Sequence, residues 1–163
     1  QGVNMGPLTK VEAYIEIENK INEALDHGAK IIDNNPLYNK DLGKNYIYPK
    51  LLVNVNQQSR LIQEETFAPI MPIIMVDSDE QAINYINDSK FGLTCSIWTK
   101  NMIEGEKIAD KINTGTVYLN KCDYLDPSLA WTGIKESGMG SSLSYLAFSQ
   151  VTRPKSYCFY SKK

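Results

Sequence analysis

Histidine occurs once and cysteine three times in 163 residues, and neither sign of charge is in excess. The single His27 has no paired cysteines near it, so the ligand spacing of a zinc site cannot be assembled and metal chemistry is excluded. Cys95, Cys122 and Cys158 are odd in number and widely spaced, which fits reduced thiols in a reducing compartment rather than a disulfide framework. Lys and Arg number 17 against 19 Asp and Glu, a net charge of -2. These charges are scattered, so the basic face that a nucleic-acid binder needs is missing. No apolar run approaches the roughly 18 residues of a membrane span, and the N-terminus lacks the charged-then-apolar pattern of a signal peptide. The expectation is a soluble, cytoplasmic chain with neither a membrane nor a nucleic acid as partner. It opens on Gln1 without an initiator Met, as a trimmed chain or an expression remnant would.

What is present is 42% hydrophobic and 10% aromatic. That is enough for one domain with a sizeable core and too little for two ordinary ones. Val11, Tyr14, Ile17, Ile21 and Leu25 recur at helical spacing behind a Thr9-x-x-Glu12 capping box and ahead of Gly28, predicting a helix from about residue 10 to 26. Ile31-Ile32 begins a short strand, and 33–45, rich in Asn, Asp, Gly and Pro, reads as an exposed loop. Leu51 to Val55 is a second strand. Ile70 to Val76 is a third, whose Pro72 belongs at an edge or before the paired part. Ser78 with Gln81 opens a helix buried through Ala82, Ile83 and Ile86. Leu93 to Trp98 reads as a strand buried on both faces. Asn101 with Glu104 caps a helix whose buried side is Ile103, Ile108 and Ile112. Thr116 to Leu119 is a further strand, 143–148 a short helix, and Ser156 to Tyr160 a terminal aromatic strand with a sticky edge. Strand and helix alternate, so the predicted class is α/β, three-layered, with a largely parallel sheet flanked by helices.

Few residues suggest chemistry by pattern alone. Glu64-Glu65 precedes Thr66-Phe67-Ala68-Pro69 at a loop-to-strand junction, where ligand contacts concentrate in α/β folds. The plainer reading is a solvated acidic pair beside one core phenylalanine. Cys95, inside an apolar strand, reads as a small buried hydrophobe. Cys122 lies in a loop past a strand end with no histidine to activate it, and His27 reads as a C-terminal helix cap or surface residue. Gly133 to Gly140 contains three glycines in an order that is neither a dinucleotide fingerprint nor a P-loop.

Taken together, several segments resemble one family. Glu64-Glu65-Thr66-Phe67-Ala68-Pro69 is similar to the Glu-Glu-x-Phe-Gly-Pro motif of NAD(P)-dependent aldehyde dehydrogenases. Met5-Gly6-Pro7-Leu8 and Gly28-Ala29-Lys30 match upstream. Downstream, Asn87-Asp88-Ser89 with Phe91-Gly92-Leu93, then Gly115 to Asn120, then Gly133-Ile134-Lys135-Glu136-Ser137-Gly138 follow in order. Five motifs in sequence over about 130 residues make coincidence a poor explanation.

The resemblance implies that residues 1–150 are the C-terminal portion of the catalytic domain and 151–163 an oligomerisation strand and tail. It implies that Glu65 accepts from the nicotinamide-side ribose and that Phe67 packs against the nicotinamide ring. It implies that Asp123, Leu125 and Trp131 line the aldehyde pocket, Trp131 standing where phenylalanine is frequent and narrowing it. The implied cofactor is NAD or NADP, with none bound by this chain alone, and the implied partners are a small aldehyde and further copies of the chain. Ala68 departs from the usual glycine and restricts the backbone there. Ala13 and Glu16 stand where the family often has adenosine-contacting glutamine and lysine, so those contacts are not carried over. The family's nucleophilic cysteine, glutamate base, oxyanion-hole asparagine and phosphate-binding domain match nothing in this chain. Its catalytic set is therefore empty, and by itself it is expected not to oxidise aldehydes. The competing expectation is a non-catalytic oligomerising module, or a split-gene half that complements a separate N-terminal half.

Overall fold

The structure, a computed structural model, describes residues 5–32, 45–122 and 124–161. The chain divides into two compact units, Gln1–Asp77 and Ser78–Lys163.

In the first unit, helix α1 (Val11–Asp26) buries Ile17, Ile21 and Ala24 on one stripe, the i, i+4, i+7 spacing of an amphipathic helix. Lys10 occupies the extended cap position and no side chain caps the helix, so the Thr9–Glu12 capping box does not form. The chain enters the helix one residue later than that box requires. The other end matches expectation. Gly28 adopts φ +97, which glycine reaches without strain. Its N–H donates to the Leu25 carbonyl at 2.9 Å while Ala29 N–H donates to the Ala24 carbonyl at 3.0 Å, the paired bonds of a Schellman closure. His27 caps the same end, with its ring Nδ1 2.8 Å from the Glu23 carbonyl oxygen.

Strands β1 (Lys30–Ile32), β2 (Lys50–Val53) and β3 (Ile70–Pro72) form a sheet in that order, β1 antiparallel and β3 parallel to β2. β2 ends at Val53, two residues before the predicted Val55, and Asn54 follows it at φ +56. Bonds to β2 pass through the Pro69 carbonyl and the Ile73 N–H. Alternation thus turns the donor-less nitrogen of Pro72 to the outer side of an edge strand, as its sequence position required. Short helix α2 (Arg60–Gln63) follows the buried N-cap Ser59, whose Oγ accepts from Leu61 N–H at 3.3 Å. Leu52, Val55, Leu61 and Ala29 close the core over α1. The predicted loop at 33–45 lies, up to residue 44, outside the described residues.

The second unit holds α3 (Asp79–Asn87), β4 (Phe91–Gly92), β5 (Thr94–Ile97), α4 (Met102–Ala109), β6 (Thr116–Leu119), β7 (Ile134–Lys135) and α5 (Ala147–Val151). Both predicted caps form. Ser78 Oγ accepts from Gln81 N–H, and Asn101 Oδ1 from Glu104 N–H, each at 3.2 Å. β5, α4 and β6 make a βαβ unit with β5 and β6 parallel, Thr94 opposite Thr116 and Ile97 opposite Leu119, while β4 and β7 pair antiparallel. The α/β class therefore holds, with pairing of both senses among the described residues.

Several local expectations are corrected. Leu93 is 39% and Trp98 68% exposed, so the 93–98 segment is not buried on both faces: among the described residues β5 has β6 as its one strand neighbour. Ile103 is 70% exposed. The inner stripe of α4 runs instead through Gly105, Ile108 and Ile112, because Gly105 sits where a Cβ would meet Thr99 Cγ2 at 2.8 Å and Leu119 Cδ2 at 3.2 Å. A glycine that carries the closest contact is invisible to a count of apolar side chains. Ile83 is buried in α3 as predicted, but Ile86 is exposed. The short helix begins at Ala147, after Leu143 and Ser144 take positive φ. Residues 152–161 are exposed and form no strand. They do keep one trait of extended chain: the Tyr157 and Phe159 rings stack at 5.9 Å and Lys155 lies over Tyr157, an i, i+2, i+4 row on one side.

Candidate functional site

The Glu64-Glu65 pair is split by its surroundings. Arg60, one helical turn before Glu64, takes both its carboxylate oxygens, Nε to Oε1 and Nη2 to Oε2, each at 3.0 Å, the two-pronged geometry that guanidinium and carboxylate planes share. Lys20, from the buried stripe of α1, brings its ammonium to 3.0 Å from Glu64 Oε2 and 3.7 Å from Glu16 Oε1. Its side chain is only 4% exposed. Arg60 also lies 3.6 Å from Glu16, so two cations and two carboxylates form one closed network. The Arg60 grip, and after it the Lys20 ammonium, pull the Glu64 carboxyl down to about 2. Glu64 is thus a structural anion.

Glu65 is exposed and its carboxylate lies outside that network, while its main-chain oxygen faces Lys20 Nζ at 3.5 Å. Phe67 is 82% exposed, which overturns the reading of it as a core phenylalanine. A large ring thus stands in solvent next to a carboxylate that has no partner among the described residues, so the pair can offer a ligand one apolar face and one hydrogen-bond acceptor. Between them, Thr66 Oγ1 is buried without a hydrogen-bond partner among the described residues.

The residues expected to line a pocket belong to the second unit. Trp131 is half-buried and tied to Ser142 by two main-chain bonds, at 2.7 and 2.8 Å. It lines an open cleft of about 430 Å³ together with Leu93, Met139 and the Ser/Gly passage. Leu125 is 56% exposed in the loop past β6, whose neighbour Tyr124 accepts from Tyr118 Oη at 2.9 Å and lies under the Lys121 ammonium. Asp123 lies outside the described residues. Leu125 is not among the lining of the Trp131 cleft, so the described pocket candidates do not converge on one cavity. Burial raises the Cys95 thiol, in keeping with its reading as a small hydrophobe rather than a nucleophile. Cys122 is exposed.

The glycine-rich motifs turn out to be one piece of carpentry. Lys135, at φ +54, donates from Nζ to the carbonyls of Asn87 at 3.0 Å and Ser89 at 2.8 Å. A cation on the last carbonyls of α3 complements the negative end of that helix. The Asn87 amide in turn donates to the Lys111 carbonyl at 2.8 Å and accepts from Asn113 N–H at 2.7 Å. Ser137 Oγ accepts from Gly92 N–H at 2.9 Å. A Cβ on Gly92 would meet Ile134 Cγ1 at 2.6 Å, and one on Gly115 would sit 1.6 Å from the Thr132 carbonyl oxygen. These contacts fix the two ends of the loop that carries Leu125 and Trp131.

Sequence reading missed Lys20, Arg60 and this clamp. The available signal for Lys20 was its place on the apolar stripe, three residues after Ile17 and one before Ile21, where a lysine needs a buried partner.

Comparison with known proteins bears on both halves. The family model described as the aldehyde dehydrogenase family matches residues 1–157. Lactaldehyde dehydrogenase of Escherichia coli is 33% identical over 141 residues, covering 86% of this chain and 29% of that protein. A crystal structure of that enzyme superposes with a TM-score of 0.78 at 31% identity, over 91% of this chain and 31% of the other. Succinic semialdehyde dehydrogenase from Streptococcus pyogenes, solved in complex with NADP+, gives 0.75 at 30% identity, over 91% and 32%. The chain thus spans about a third of the length of the relatives it matches.

Proposed function

The chain belongs to the aldehyde dehydrogenase family, and from that premise we propose that it supplies the C-terminal part of an enzyme that oxidises an aldehyde to a carboxylic acid with NAD or NADP. The observation that carries this reading is the division of labour between adjacent glutamates. Glu64 is consumed by Arg60 and Lys20, which leaves Glu65 and the 82% exposed Phe67 on a braced segment, without a partner for either side chain among the described residues.

These two residues fit a nicotinamide nucleotide. An ionised carboxylate accepts from both hydroxyls of a ribose diol, and an exposed ring offers a flat apolar face. When bound, that cofactor supplies the hydride acceptor. The chain's own part is to orient it: Glu65 holds the ribose, and Phe67 limits the tilt of the ring so that one face stays open to the substrate. Trp131 and Leu125 meet the aldehyde from separate parts of the segment past β6, and Asp123 is assigned to the same role by the family resemblance alone. The nucleophile and the proton-transfer groups come from the part of the enzyme outside this chain, so the isolated chain binds no cofactor and turns over no substrate. The exposed aromatic run at 156–160 adds to the sheet of a second copy, and sedimentation of the chain as a strict monomer would refute that part. Three free cysteines fit the reducing cytoplasm.

The test is Glu65→Gln and Phe67→Ala in the complete enzyme that carries this chain. Loss of the charged acceptor is expected to raise the KM for the nicotinamide cofactor by roughly 10-fold or more, as for a hydrogen bond to a charged group. Phe67→Ala is expected to lower kcat more than it raises that KM. Unaltered kinetics in both variants would remove this reading and favour a non-catalytic oligomerising module.

A further inference from the structure

Lys20 is the one charged residue in the described core, and holding the unit together does not explain it. Replacing a buried ion pair by apolar residues of similar volume is often neutral or stabilising. Arg60 already satisfies both oxygens of Glu64. The site of Lys20, between Ile17 and Ile21 on the inner stripe of α1, would accept methionine. What an apolar residue there could not do is reach the cofactor-facing segment. The Lys20 ammonium stands 3.0 Å from the Glu64 carboxylate and 3.5 Å from the main-chain oxygen of Glu65, 45 residues away. The first contact is a full charge-assisted bond and the second a long one, so the hold on Glu65 comes mostly through the residue next to it.

We propose that Lys20 is a positioning residue: anchored in α1, it sets where the chain turns from Glu64 into Glu65 and so aims the Glu65 carboxylate and the Phe67 ring. The proposal rests on the reading of Glu65 and Phe67 as cofactor contacts given above. Arg60 is the weaker anchor, because it belongs to the same short helix as the segment it grips and its own tie to α1 is a 3.6 Å pair between two exposed side chains, Arg60 and Glu16. The far end of the segment is held by the Pro69 carbonyl, which accepts from Lys50 N–H on β2, and by Ala68 against the core; among the described residues Lys20 is what ties its Glu64–Glu65 end to α1. Glu16, 3.7 Å from Lys20 and 3.6 Å from Arg60, balances the second positive charge and so keeps Glu64 shared between the two cations.

Lys20→Met, Lys20→Arg and Glu64→Gln, made in the complete enzyme beside Glu65→Gln, separate aim from fold. Lys20→Met is expected to raise the KM for the cofactor roughly 10-fold, short of the roughly 100-fold that a 1 Å misplacement can cost. The melting temperature should stay close to that of the parent. Lys20→Arg is expected to recover most of the loss, and Glu64→Gln to reproduce it. An unchanged cofactor KM in Lys20→Met and Glu64→Gln, where Glu65→Gln does raise it, overturns the proposal. Should Lys20→Met fail to fold, Glu64→Gln carries the same decision. If Glu65→Gln has no effect, the cofactor reading has failed, and amide hydrogen exchange in the complete enzyme decides the positioning role by itself. Faster exchange of 64–69 in Lys20→Met, with the 94–97 and 116–119 strands unaffected, supports it, and unchanged protection of 64–69 refutes it.

Discussion

Gly115→Ala adds one methyl group where the second unit has least room. The new Cβ would lie 1.6 Å from the Thr132 carbonyl oxygen and 3.2 Å from that of Leu93, against the roughly 3.0 Å that real contacts require, so about 1.4 Å must come from movement of the Thr132 backbone. Thr132 is not free to give it. Its hydroxyl donates to the Gly140 carbonyl at 2.7 Å, and its neighbour Trp131 is bonded twice to Ser142. A shift of that size breaks these three bonds, at about 1 kcal/mol each. The stiffer unfolded chain of alanine returns about 0.5 kcal/mol. The net loss of about 2.5 kcal/mol lowers the melting temperature of a domain of roughly 60–100 residues by about 10–20 °C. Both tryptophans, Trp98 and Trp131, lie in this unit, so tryptophan fluorescence during heating reports its unfolding without a signal from the other. A midpoint within about 2 °C of the parent would mean that the 131–142 segment yields at little cost, and the clamp described above would not be rigid.

Two more tests concern the first unit. Because the Glu64 carboxyl is held down from 4.5 to about 2, its contribution to stability is fully present above pH 4.5 and is lost as pH falls toward 2. Acid titration of the parent should therefore show a loss across that window that Glu64→Gln lacks, and identical acid limbs would refute the network. Thr66→Val removes a buried hydroxyl that has no partner among the described residues, at nearly constant shape. It is expected to stabilise the unit by about 1 kcal/mol in urea unfolding, and a loss of stability would mean that the hydroxyl has a partner after all.

Much of what depends on neighbours along the chain was legible, the Thr9–Glu12 box and the start of the last helix excepted. The Gly28 closure of α1, the Ser78 and Asn101 caps and the edge position of Pro72 each follow from a few adjacent residues, and each is found. The other failures depended on partners far away or missing. Burial of Leu93 and Trp98 was inferred from an apolar run, but such a run is buried only if something covers it, and the chain spans about a third of its relatives' length. Ile103 was placed inward because it is apolar, whereas the contact belongs to Gly105, which scores as nothing. At the candidate site the motif Glu64 to Pro69 was readable and the roles within it were not. Only the three-dimensional meeting of residues 16, 20, 60 and 64 assigns the first glutamate to structure and leaves the second exposed.

The bonds from Lys135 to Asn87 and Ser89, and from Gly92 to Ser137, join residues 45 to 48 positions apart. Such contacts bear the entropy of closing a long loop and form slowly unless something shorter has already drawn the ends together. The β5, α4, β6 unit is the shorter structure available, since its strands pair Thr94 with Thr116 across a single helix. Folding of the second unit should accordingly run through that unit first, with the 120–133 connection still open and Trp131 still in water. By the same ordering, opening in the native state starts at the Lys135 clamp, so the segment that lines the cleft can breathe while the strands beneath it stay paired.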